Sequence, residues 1–285
     1  MHFASLWLLL LAIPLLPEAG QSGIKITFES EVAGNSNSRT TYYQVDRMRV
    51  EFRNSFGGKQ PGDVSYGPRL ARIVRCDLGQ AFELNLDTSE YTSAPYPPKA
   101  LTAEEIKARG LRGAGDSQPA SPTIRVEIKT TDTGERKEMF GRVTRHVITT
   151  TTSTPLEGSH SELHESVTDG WYIDFDQRLP CDRKWPEGKQ GHSYGWLAAG
   201  NGKQPMEKPQ FVRVGEAEMG FALSVTTTSK RLPSTADGTV SSFGTRVTEF
   251  TEGALDPALF EIPAGFKRVE RIERNPAAGG IAGKP

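Results

Sequence analysis

The sequence predicts an all-β protein, its antiparallel sheet curled into an open half-barrel. Apolar and polar residues alternate with period two along most of the chain, short Asp/Gly turns divide the alternating runs, and one stretch alone is punctuated as a helix. The expected layout is a signal peptide over 1–20 and a single β domain over 21–274. Irregular loops fall at 110–122 and 179–209, and a Pro/Ala/Gly-rich tail at 275–285 frays.

The apolar run from Phe3 to Leu16 has the length of a signal-peptide core, and Pro14 breaks it too early for a bilayer span. Ala19 and Gly20 offer a cleavage site, although the run is preceded by His2 and no Lys or Arg. No cysteine lies near that point for lipid attachment, and no later apolar stretch approaches membrane length. Export to the periplasm or the extracellular space is the expectation.

After Gly23 the alternation begins. Ile24, Ile26 and Phe28 alternate with Lys25, Thr27 and Glu29, and Met48, Val50 and Phe52 with Arg47, Arg49, Glu51 and Arg53. The same pattern recurs at Phe82, Leu84 and Leu86, at Ile124, Val126 and Ile128, and at Trp171, Ile173 and Phe175. Successive strand side chains point to opposite faces, so each run predicts one apolar and one wet face. Further strands are expected near 39–45, 70–76, 90–96, 135–140, 142–152, 210–214, 219–230 and 239–251. Asp77-Leu78-Gly79, Asp87-Thr88-Ser89, Asp132-Thr133-Gly134 and Asp237-Gly238 each read as a hairpin turn. The helix is expected over 101–109, with Thr102 and Glu105 as a capping box, Leu101 and Ile106 as a staple and Gly110 as the stop.

Composition excludes several functions. The whole chain carries 34 Lys+Arg against 35 Asp+Glu, and loss of the leader with Glu18 leaves 34 against 34. A neutral chain lacks the cationic excess of a dedicated nucleic-acid binder. Two cysteines are too few for a disulfide scaffold or a four-cysteine zinc site. In an oxidising compartment Cys76 and Cys181 read as a bridge pinning the 179–209 loop, or else as two separate buried thiols. A bridge closing a loop of that size is worth about 4.7 kcal/mol at most in the chain-entropy model.

Catalytic motifs are weak. Gly191-His192-Ser193-Tyr194-Gly195 satisfies the nucleophile-elbow pattern, but no buried strand precedes it and no histidine follows His192. His160 and His164 would share a face on a helix, whereas on a strand they stand about 13 Å apart, and no third ligand accompanies them. Asp174 and Asp176 read as a solvated strand face rather than a glycosidase pair. The sequence therefore predicts no catalytic residue, no metal and no cofactor.

Four segments together resemble the LolA/LolB/LppX-like superfamily of bacterial envelope proteins. They are Tyr42–Phe52, Ala71–Tyr91, Gly141–Ile148 with Trp171 downstream, and Leu255–Phe266, and together they span most of 24–270. The resemblance implies a half-barrel with helices at its mouth, an apolar cavity for acyl chains and no catalytic residues. This chain departs from that pattern in having one clear helix where such carriers use several.

Ten or more half-apolar strands with one short helix must close, pair or bind something on their apolar face. The leading expectation is an exported, non-enzymatic protein that holds a lipid or other apolar ligand. Ile26, Phe28, Met48, Val50, Phe52, Phe82, Leu84, Trp171 and Phe221 are the candidate cavity residues. The alternative is an envelope protein with a dry, closed core that contacts a partner protein through the 179–209 loop.

Overall fold

The structure is a computed structural model, and it describes residues 22–32, 35–57, 64–99, 102–108, 121–182, 207–232 and 240–274. The expected leader, the Gly191–Gly195 motif, the Asp237-Gly238 turn and the tail lie outside the described residues, as does most of both expected irregular loops.

Among the described residues thirteen strands form one sheet. In chain order they are β1 (Ser22–Val32), β2 (Asn35–Gln44), β3 (Arg47–Gly57), β4 (Val64–Arg75), β5 (Gln80–Asn85), β6 (Glu90–Pro95) and β7 (Ile124–Met139). They continue with β8 (Arg142–Pro155), β9 (Leu163–Ile173), β10 (Pro209–Val214), β11 (Phe221–Leu232), β12 (Ser241–Ala254) and β13 (Lys267–Arg268). The spatial order is β10-β7-β8-β9-β11-β12-β1-β2-β3-β4-β5-β6-β13, so the sheet is open, with β10 and β13 at its edges. All pairings are antiparallel except those two edges, where β10 runs parallel to β7 and β13 parallel to β6. The all-β, antiparallel expectation holds, with a parallel pair at each described edge.

The described helix is a single turn and a half, α1 (Ala103–Ala108). Its capping box forms as the sequence predicts: the Glu105 amide donates to Thr102 Oγ1 at 3.2 Å, and the Thr102 amide donates to Glu105 Oε2 at 2.8 Å. Among the described residues no helix is long and apolar enough to cross a membrane, which says nothing of strands.

Two of the expected turns close hairpins, at 76–79 and 86–89. Asp132-Thr133-Gly134 does not. There β7 runs on through a bulge, Asp132 pairing with Val147 and Arg136 with Arg145. The Asp132 carboxylate accepts the Gly134 amide at 2.9 Å and Gly134 has φ +82°, so the local turn chemistry is spent inside the strand. The hairpin closes instead at Phe140-Gly141, both at positive φ (+52° and +71°).

The sheet curls. Arg142, at the start of β8, ion-pairs with Glu252 of β12, and its guanidinium stands 5.0 Å from the Phe250 ring centroid. Met139, at the end of β7, packs on the same cluster as Phe250. Two strands, β9 and β11, lie between β8 and β12, so these contacts require the Phe250 side to be the inside of the curve.

Strand register then sorts side chains between the faces. Cross-strand rows Phe250–Ile26–Thr41–Val50 and Ile24–Tyr43–Met48–Val74–Ala81 lie on the inner face. Rows Lys25–Tyr42–Arg49–Ile73–Phe82 and Thr40–Glu51–Ala71–Leu84–Tyr91 lie on the outer face. The expectation of a wet outer face fails here, because residues 255–266 lie across it. Leu255, Leu259, Phe260 and Phe266 pack on Tyr42, Ala71, Ile73, Phe82, Leu84 and Tyr91, and Phe260 is wholly buried.

That outer strap is held by polar links. A 3-10 turn over Pro257–Phe260 begins at Asp256, whose carboxylate accepts the Ala258 amide at 2.9 Å. At its other end Arg49 Nη1 donates to the Leu259 carbonyl at 3.0 Å and Arg75 Nη1 to the Phe260 carbonyl at 3.4 Å. Gly23 lets the strap start close to the sheet, since a Cβ there would fall 2.5 Å from both Leu255 Cδ1 and the Tyr43 carbonyl oxygen.

Phe260→Ala empties the centre of this contact. It is expected to destabilise the protein by about 3–5 kcal/mol, read as a lowered urea midpoint, while Val143→Ala at an exposed site stays within about 0.5 kcal/mol.

Candidate functional site

The inner face is the surface that the sequence assigns to a ligand. At one end Phe28, Phe221 and Phe250 meet Phe175, which follows β9. Phe175 lies edge-on to Phe221 at 5.3 Å and to Phe250 at 5.6 Å, and Phe28 to Phe221 at 5.8 Å. These are favourable edge-to-face contacts in a packed core. Ile26, Ile173, Leu223 and Val247 complete the cluster, and the Arg39 guanidinium covers the free face of Phe28 at 4.6 Å.

From Phe175 the chain crosses the inner face toward β4–β6. Tyr43 Oη donates to Gln177 Oε1 at 3.2 Å on the way. Leu179 and Cys181 then sit on Met48, Val74, Ala81, Cys76 and Tyr96. Cys181 is bonded to Cys76, with a Cα–Cα distance of 5.5 Å, so of the two readings of these thiols the bridge is the one realised. The Tyr96 hydroxyl donates to Asp182 Oδ1, while Asp182 Oδ2 accepts the Leu179 amide. Burial first, and then this bond to Asp182, push the Tyr96 hydroxyl up to about 12.

The candidate cavity residues therefore divide. Ile26 (0% exposed), Phe28 (6%) and Phe221 (6%) are core under Phe175. Met48 lies under Leu179 and Cys181, and Val50 and Phe52 are partly buried on the same inner face. Phe82 and Leu84 belong to the outer face beneath Phe260. Trp171 joins none of these clusters: it stacks on His146 at 4.6 Å, with Lys137 Nζ 3.7 Å from its ring centroid.

Polar groupings accompany this frame. His146 Nδ1 lies 3.0 Å from Thr133 Oγ1 and Nε2 lies 3.0 Å from Asp169. Arg145 grips Glu218 with two nitrogens, at 2.8 and 3.1 Å, and Asp174 with a third at 2.9 Å. Glu207 accepts hydrogen bonds from Thr123, Ser159, Ser161 and the His160 amide, which ties the start of β10 to the β8–β9 connection. A polar groove of about 180 Å³ runs over Gly244, between Glu31 and Thr226 in one cross-strand row and beside the Glu29–Arg246 pair. His164 is on β9 and His160 lies before it, the strand alternative of the two. Among the described residues no three His, Cys, Asp or Glu side chains are placed to hold a metal ion. Sequence reasoning missed Arg49, Arg75, Arg145, Glu207 and Glu218, because each sits in a polar position of an alternating run or in a connection.

No family model matches the chain, and no curated protein matches it. Among solved structures, PNGF-II is 13% identical over 88% of this chain and 31% of its own length, at a TM-score of 0.30. MucB in complex with MucA(peri) is 12% identical over 79% of this chain and 88% of that one, at 0.12. The Pseudomonas aeruginosa MucA/MucB complex is 11% identical over 82% and 95%, at 0.11. The chain thus spans about a third of PNGF-II, and scores this low define no family. What the structure defines is a class: an open all-β sheet covered on both faces by short straps of its own chain.

Hydrogen bonds from Arg75 hold the Asp77 carboxyl below its ordinary 3.8, and those from Arg145 hold Glu218 below its ordinary 4.5. A depressed folded pKa contributes stability that is full above the unfolded value and lost as pH falls through the folded one. The urea midpoint should accordingly stay level from about pH 7 to 5 and drop below about pH 4. Arg145→Gln should make that drop shallower; an unchanged acid limb in this variant removes Glu218 from the explanation.

Proposed function

We propose that this is an exported, non-enzymatic protein that works by contact with another protein, its inner face filled by its own side chains. The observation that carries the reading is the packing of Phe175 against Phe221 and Phe250, in the cluster that also buries Phe28, which leaves protein where an acyl chain would otherwise lie. Ile26, Phe28 and Phe221 have no room for a ligand unless Phe175 leaves. Export is supported by the apolar run at Phe3–Leu16 and by the Cys76–Cys181 bond, since disulfides persist in oxidising compartments. Apolar side chains remain exposed at the sheet's margins, among them Phe140, Val143 and Met219, and such positions suit a protein contact better than a reaction.

A second reading, an apolar-ligand carrier of the kind the LolA-like resemblance implies, is favoured by Val50 and Phe52, which stay partly exposed on the inner face. Solvent extraction and lipid mass spectrometry of the purified, oxidised protein separate the two. The interaction reading expects less than about 0.1 lipid per protein and no binding of an anilinonaphthalene dye, as for a packed native core. One tightly held lipid per chain would overturn it in favour of the carrier.

A further inference from the structure

Residues 174–182 are held on the inner face differently from the strands they cover. The strands beneath are fixed by continuous ladders from β9 to β6. The strap belongs to no strand. Among the described hydrogen bonds between its own residues are the Asp182 amide to the Leu179 carbonyl at 2.9 Å and the Arg178 and Leu179 amides to the Asp176 and Asp182 carboxylates. Its described attachment to the sheet comes from side chains: the Arg145–Asp174 ion pair, Phe175, the Tyr43–Gln177 bond, Leu179, the Tyr96–Asp182 bond and the Cys76–Cys181 bridge. The bridge is the one covalent attachment among them. Segments with few ladder bonds open locally at a lower free energy than the sheet that carries them.

We propose that 174–182 is a redox-released cover: a dithiol reductant that cleaves Cys76–Cys181 frees the strap while the sheet keeps its pairing. Cys181 is buried and Cys76 only partly so, and the exchange is therefore written with attack at the less buried residue. A reductant thiolate attacks Cys76 Sγ, a new S–S bond forms there, and the Sγ–Sγ bond breaks with Cys181 leaving as a thiolate. The second thiol of the reductant closes on its own sulfur and expels the Cys76 thiolate. The protein gains two electrons and two protons as two S–H groups, and the dithiol becomes a disulfide. With the strap lifted, Met48, Val74 and Ala81 are uncovered and join Val50 and Phe52 in a continuous apolar strip on the inner face. This goes beyond the proposed function, which concerns the oxidised form.

The test uses cleavage by trypsin after Arg178, whose neighbour Leu179 is 3% exposed while the cover is down. Three samples are compared: the oxidised protein, protein reduced with dithiothreitol and capped with iodoacetamide, and the Cys76→Ser/Cys181→Ser double variant. Cleavage after Arg178 is expected to be at least about 10-fold faster in the second and third samples, with cuts after Arg145 and Lys230 in the ladder changed less than about 2-fold. Equal rates after Arg178 in all three overturn the proposal, because the bridge then does not hold the strap. Acceleration at all three sites, or a double variant that fails to fold, overturns it as well, because the bridge then supports the sheet itself. Lipid content of the oxidised protein tests the proposed function separately, so the two readings fail independently.

Discussion

The end of β4 holds both faces of the sheet. Arg75 and Cys76 are neighbours in sequence and point to opposite sides of one strand end. On the outer side Arg75 reaches the Phe260 carbonyl and Glu261, and on the inner side Cys76 bonds Cys181. A sheet without packed helices has two faces to keep dry, and among the described residues the cover is irregular chain. Irregular chain has no ladder to fix it, so its position depends on a few strong links. Arg75 is only 7% exposed, and a guanidinium so placed is tolerated because Asp77, Glu261 and a carbonyl occupy its donors. Arg49 acts alongside it, bound to Glu51 and to the Leu259 carbonyl.

Much of the sheet was legible because period-two alternation is a local signal. The runs at 24–28, 48–52 and 124–128 lie within strands, and the Thr102/Glu105 box caps the short helix. The turn at Phe140-Gly141 was legible as the break between the expected strands 135–140 and 142–152, but not in its chemistry, since a phenylalanine at φ +52° follows no turn preference. Asp132-Thr133-Gly134 misled for the opposite reason: the same Asx and glycine chemistry serves a bulge as well as a hairpin. Alternation also cannot say what lies above a face. It placed Ile26 and Leu84 together as apolar positions, yet one sits under Phe175 and the other under Phe260. For the same reason Arg49 read as solvent-facing, whereas it is buried by a strap that arrives from more than 200 positions away.

The two parallel edges follow from the same long-range events. An antiparallel neighbour is reached by a short hairpin, but a parallel one needs a crossing connection. After β12 the chain must travel past β1–β6 to reach the far edge, and residues 255–266 make that journey over the outer face before β13 pairs with β6. After β9 the chain crosses the inner face to β4–β6 and is next described at Glu207, where a carboxylate with four donors starts β10 on the opposite edge. On the outer face, covering the sheet and reaching its edge in parallel are thus one step of the topology. At the β13 edge the outcome is also protective, since two exposed cations, Lys267 and Arg268, make a strand too short and too charged to template another chain. Among the described residues the β10 edge is longer and uncharged at Val214, which is 45% exposed, so the two described edges differ in length and in charge.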